Sequence, residues 1–89
     1  MNNVQMNYLE AKKVYDAAVQ AQDWEKVEKV EDAYLDAESA LVKWFITVAE
    51  KLKSYPKADL ELVKKHWAAM PNMIAKVTTL AMQIDENNL

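Results

Sequence analysis

The stretch DWEKVEKVEDAYLDAESALVKWFITVAEKLK, residues 23–53, decides the fold. Within it Val27, Val30, Tyr34, Ala37, Leu41, Trp44 and Val48 recur at spacings of three, four, three, four, three and four. That alternation holds them on one helix face, the pattern of a long helix packed lengthwise against others. A strand would need alternation at every second residue. Neither that nor a hairpin dipeptide occurs in the chain.

On the N-terminal side, Val4, Tyr8, Ala11, Tyr15 and Ala18 mark a second helix face and predict a helix over 4–21, capped by Asn2 or Asn3. The two helices are not one. Carrying the first stripe on from Tyr8 and Tyr15 in steps of seven reaches Gln22 and Lys29, both polar, while the next stripe starts at Val27. A helix cannot turn its apolar face without a break, so a tight turn is expected at 20–23. Asp23 is then the N-cap and Glu25 is favoured in the first turn by the helix dipole.

On the C-terminal side, Leu60, Val63, Trp67, Met70, Ile74, Val77, Ala81 and Ile84 keep the same spacing. Pro56 ends the long helix, because it lacks the donor that the helix needs and pushes Tyr55 to extended geometry. Asp59 is expected to cap the next helix. Pro71 lies inside the stripe without disturbing its phase, which predicts one helix over 59–84 kinked at that residue. The expected fold is all-α: a single domain, residues 1–89, formed as a three-helix antiparallel bundle with one short and two long helices over 4–21, 23–53 and 59–84.

These helices would be roughly 27, 46 and 39 Å long at 1.5 Å per residue. The first then covers only the N-terminal half of the second. The other half is apolar nearly all round, with Leu41, Val42, Trp44, Phe45, Ile46, Val48, Ala49 and Leu52. A single neighbour buries one side of it. Val42, Phe45, Ile46 and Ala49 are therefore expected to form an exposed apolar face for self-association or a protein partner.

The chain has no glycine, arginine or cysteine. That removes Gly-rich phosphate loops, bidentate Arg clamps, thiolate nucleophiles and cysteine-ligated zinc. The only histidine, His66, has Val63 three residues before it rather than Glu, and the spaced carboxylates Glu25, Glu28 and Glu31 have no histidine beside them. No metal or cofactor is expected. Ser39 or Ser54 with His66 lacks any oxyanion hole or strained elbow, so no enzyme activity is expected either. No apolar run approaches the roughly 20 residues that span a bilayer. The start, Met1 to Gln5, has neither a basic nor an apolar leader region, so a cytoplasmic location without membrane association is the expectation.

Charge is unevenly spread. Residues 1–42 carry four Lys and nine acids, whereas residues 43–84 carry seven Lys and three acids. The basic side consists of Lys43, Lys51, Lys53, Lys57, Lys64, Lys65 and Lys76. The acids concentrate at 23–38, with seven against two Lys, and Glu25, Glu28, Glu31, Asp32 and Asp36 are the candidate docking residues. Such a field draws a basic protein surface and repels phosphates, which disfavours direct nucleic-acid binding. The expectation is a self-associating protein-interaction module, an inhibitor or adaptor. With lysine as the only strong base and six Asn, an AT-rich genome is a natural source, and a phage antagonist of a nucleic-acid-handling machine is one form. The alternative is a small-molecule binder with an aromatic pocket between subunits, formed by Trp44, His66 and Trp67 beside Phe45.

Overall fold

The structure is a computed structural model that describes residues 1–89. It is all-helical, with α1 Asn3–Gln20, α2 Trp24–Ala49, α3 Lys57–His66 and α4 Pro71–Gln83. A 3₁₀ turn, Trp67–Ala69, joins α3 to α4, and another, Glu86–Asn88, ends the chain.

α1 starts at a capping box. The Asn2 side chain accepts from the Gln5 backbone N–H at 2.9 Å, and Gln5 Oε1 accepts from the Asn2 N–H at 3.0 Å. The turn after α1 falls where the phase slip places it. Gln22 takes the left-handed conformation with φ 54°. Its N–H donates to the Val19 carbonyl and that of Asp23 donates to Ala18, both at 3.0 Å. This is the six-to-one and five-to-two pairing of a Schellman stop, made here with glutamine where glycine is usual. Asp23 then caps α2, accepting from the Lys26 N–H at 3.2 Å.

The third expected helix is two helices. Met70 is extended, with φ −127° and ψ 93°, and Pro71 is the first residue of α4. A residue before proline is pushed out of the helical region, and proline suits the first helical position because its missing donor would be unpaired there anyway. The kink expected at Pro71 is therefore a full break. The stripe could not reveal this, since each short helix keeps its own inward side: Leu60 and Val63 on α3, Val77 and Ala81 on α4, all buried. Asp59 is not the cap of α3 either. The helix begins two residues earlier, at Lys57, with Pro56 extended before it (φ −63°, ψ 135°) in the N-cap position, and Asp59 stands in the first turn.

The break redirects the chain. α3 stays at the far end of α2, where Lys64 Nζ lies 2.6 Å from Glu50. α4 turns back against the α1/α2 hairpin and runs antiparallel to α1. Pro71, Ile74 and Thr78 share a cleft with Tyr8, Lys12 and Tyr34, while Gln5 near the start of α1 reaches Ala81 and Ile84 at the end of α4. The principal extents are 43 × 29 × 16 Å, so the molecule is two helix layers thick.

The core joins Tyr8, Leu41, Val42, Phe45, Ala49, Leu60, Val63, Val77 and Ala81. Val42, Phe45 and Ala49 are 0%, 1% and 2% exposed. The apolar face expected to be open is thus the centre of the fold. With the third helix split, α3 contributes Leu60 and Val63 and α4 contributes Val77 and Ala81 to the cluster around Phe45. Ile46, half-buried, packs against the same cluster.

Candidate functional site

The α1/α2 hairpin is left bare at the end opposite to the one expected, since Leu41, Val42, Phe45, Val48 and Ala49 are buried. α4 begins level with Lys12 and Tyr34. Beyond that level the α1/α2 hairpin has only its own two helices for cover. Among residues 13–33 only Ala18 is buried. The bare end is therefore the tip that carries the acidic block, and the apolar end is the covered one.

All five acidic candidates, Glu25, Glu28, Glu31, Asp32 and Asp36, are exposed. Glu25, Glu28, Asp32 and Asp36 follow at spacings of three, four and four and so share one face of α2; Glu31 lies off that face. Lys29 reaches Glu25 at 3.8 Å, and the other four acids form no ion pair. Two large apolar side chains stand on the same helix out of phase with its buried stripe. Trp24 is 62% exposed and Leu35 is 47% exposed. Sequence reading passed over both. Their signal was their position between the stripe and the acids.

The Tyr residues anchor this arm to the body. Tyr15 stacks on Tyr34 with ring centroids 4.6 Å apart, and Tyr8 lies 6.2 Å from Tyr34. Burial pushes the Tyr34 phenol well above its ordinary value, and the neighbouring Tyr8 and Glu38 add to that. It stays a neutral hydroxyl. At the root of the arm Lys12 donates to Asp16 at 2.7 Å, and that hydrogen bond holds the ammonium above its usual range.

On the side away from α4, α1 and α2 enclose a shallow groove of about 570 Å³. Val4, Ala11, Val14, Val30, Ala33, Ala37 and Ala40 line it, with Glu10 on one wall and Asp36 on the other. No lysine lines it.

Within one chain the aromatic candidates, expected to form a pocket between subunits, share none of the crevices described. Trp44 and Trp67 are half-buried against the core, His66 is exposed, and none of the crevices described is lined by any of the three. Phe45 instead meets Tyr55 edge to face, with centroids 5.4 Å apart. The basic end forms a crevice of about 780 Å³ that holds Lys53, Lys57 and Lys64 together with Glu50 and Glu61. Lys64 is committed to Glu50 at 2.6 Å and Glu61 at 3.6 Å, and the hydrogen bond to Glu50 raises its pKa while lowering that of the glutamate. No group of three or more His, Cys, Asp or Glu side chains is placed to hold a metal ion. No helix is long and apolar enough to cross a membrane.

Compared with known proteins, the chain matches no family model, no curated protein and no solved structure.

Proposed function

We propose that this protein is a non-enzymatic helical interaction module, an inhibitor or adaptor, whose acidic arm binds a basic surface on another protein. The observation that carries the reading is the coincidence of the acidic block with the uncovered tip. Four exposed carboxylates, Glu25, Glu28, Glu31 and Asp32, stand on a two-helix projection, three of them unpaired, with an exposed Trp24 at its tip and Asp36 just past its root. Unpaired like charges held together on a protruding element raise the on-rate for a basic partner and discourage phosphates. A tryptophan beside them provides the kind of aromatic anchor that dominates many interfaces. Self-association through Val42, Phe45, Ile46 and Ala49 has lost its motive, since that face is not free.

The test is partner capture with the native chain and with a variant in which Glu28, Glu31, Asp32 and Asp36 are all lysine. The native chain should retain a protein with a basic surface at low salt and release it as salt rises. The variant should fold with the same helicity and retain none of it. A folded variant that holds the same partner would remove the acidic arm from consideration.

A further inference from the structure

The α1/α2 groove lies on the face that α4 leaves open, and its chemistry is not that of the acidic stripe alone. We propose that it receives one basic amphipathic helix of a partner protein. That helix lies along the seam, with its apolar side on Val14, Val30 and Ala37 and its Lys or Arg side chains against Glu10 and Asp36. The proposal rests on the reading above and adds where the partner binds and in what form.

Shape comes first. The walls are two antiparallel helices, so the groove is straight and matches the ridge of a third helix. Its floor includes Ala11 and Ala37, both half-buried. Such small side chains let a helix axis approach towards the lower end of the usual separation, about 8 Å. From Val4 to Val14 the seam runs about 15 Å, three turns of an occupant. Both walls are helices with no free backbone edge, so an extended strand gains no main-chain pairing here, whereas an apolar helix face does fit.

Charge then selects the occupant. Val14 is 40% exposed in the groove, and Val4 and Val30 are half-buried, which leaves apolar surface to cover. The charged groups in the lining are Glu10 on α1 and Asp36 on α2, one on each side of the seam. Asp32, exposed, stands one turn from Asp36. An occupant with cations on both flanks satisfies both walls. Anionic lipid and nucleic acid are repelled. A second copy meeting groove to groove would bring Glu10 and Asp36 against their own counterparts, which is a repulsive arrangement.

The experiment titrates the full-length chain against a labelled helical peptide of about 14 residues, with Leu and Ala on one face and Lys on both flanks. A twin peptide carries Glu in place of Lys. The Lys peptide should bind and the Glu twin should bind at least about tenfold more weakly. Ala33→Lys with Ala40→Lys alters two exposed positions at the groove edge and leaves the core intact. It should weaken binding at least about tenfold with helicity unchanged. Amide shifts should centre on Val14, Val30 and Ala37. Failure of the Lys peptide to bind at about 1 mM overturns the proposal. If binding survives the Ala33 and Ala40 lysines but is lost when Glu25, Glu28 and Asp32 become lysine, the groove falls and the acidic arm stands. A dimer that Ala37→Glu dissociates places a second copy in the groove and overturns the proposal as well.

Discussion

The buried carboxamide of Gln5 ties the beginning of the chain to its end: its Nε2 donates to the carbonyl oxygen of Ala81 at 2.8 Å, across 76 residues of sequence. The same nitrogen donates to the Ile84 carbonyl at 2.9 Å, and Oε1 accepts from the Asn2 N–H at 3.0 Å. One side chain thus caps the start of α1 and the end of α4. Carbonyls at the end of a helix lack intrahelical i+4 donors; the Ala81 oxygen also accepts from the Ile84 N–H at 3.3 Å, and Gln5 supplies it a second donor and gives one to the Ile84 carbonyl. Gln5→Ala should destabilise the fold by about 2–4 kcal/mol, because it removes one donor from the buried Ala81 carbonyl and one from the part-buried Ile84 carbonyl and leaves a cavity. Gln5→Glu keeps the shape but sets a carboxylate against two carbonyl oxygens. That variant should be weak at neutral pH and recover as acid protonates the side chain. Urea denaturation of both variants at neutral and acid pH checks this. A loss below about 0.5 kcal/mol for Gln5→Ala would show the link to be ornamental.

Gln22 bears a cost that glycine would not. Its φ of 54° puts a Cβ in the left-handed region, where a residue other than glycine gives up about 1–2 kcal/mol. The Schellman hydrogen bonds to Ala18 and Val19 hold it there. Gln22→Gly relieves that strain and adds freedom to the unfolded chain, which takes back about half of the gain. The net expectation is a rise of about 0.5–1 kcal/mol, or a few degrees in Tm for a chain of this size. A fall in Tm would mean that the turn is held by contacts of the Gln22 side chain.

The Gln22 turn was legible because a phase slip is local arithmetic: Gln22 and Lys29 occupy positions that the first stripe needs apolar. The cap of α1 was legible only as Asn2 or Asn3; the part of Gln5 in it and the reach of Gln5 to Ala81 were not, since nothing in the spacing of either helix joins α1 to α4. Pro71 misled for a physical reason. A proline at the first position of a new helix and a proline at a kink leave the same apolar stripe, and backbone pairing at Met70 distinguishes them. That single misreading displaced the second half of the third expected helix, which became α4. It turned Phe45 and Val42 from expected surface into core, and it moved the bare end of the hairpin to the acidic tip. The exposure of Glu25, Glu28, Glu31, Asp32 and Asp36 was legible, because unpaired carboxylates are seldom buried. The groove on the other face of the same hairpin was not, because it depends on which side α4 chooses.

Alkaline pH should loosen the attachment of the arm. Burial holds the Tyr34 phenol above its ordinary value of 10.0. Once pH exceeds that value the unfolded chain releases this proton while the folded chain keeps it. The unfolded state then binds fewer protons, so stability falls as pH rises; below that pH the contribution is fully present. Lys12 and Lys64, held above 10.5 by their carboxylate partners, act with the same sign. Urea midpoints should be level from neutral pH to pH 10 and decline above it. Tyr34→Phe has no proton to lose and should reduce that slope. An unchanged slope would assign it to Tyr55, which burial also holds above its ordinary value, and to the lysines.

Phe45 gives the sharpest separation between an interface and a core. It is 1% exposed, stands edge to face with Tyr55, and shares the core with Leu41, Val42 and Val77. Truncating such a residue costs about 3–5 kcal/mol in transfer and cavity terms. A domain of this size has about 4–13 kcal/mol in all, at 0.05–0.15 kcal/mol per residue. Only 13 of the 89 residues are buried, so few others can compensate. Phe45→Ala should therefore broaden or abolish the cooperative melt at any protein concentration. Ile46→Ala, at a half-buried position beside it, should lose about half as much. Circular dichroism with light scattering tells the two roles apart. An interface anchor would leave the melt of the dilute chain intact and change only the mass. A folded Phe45→Ala chain with native stability and lower mass would put Phe45 on the surface and the packing described for α2 in error.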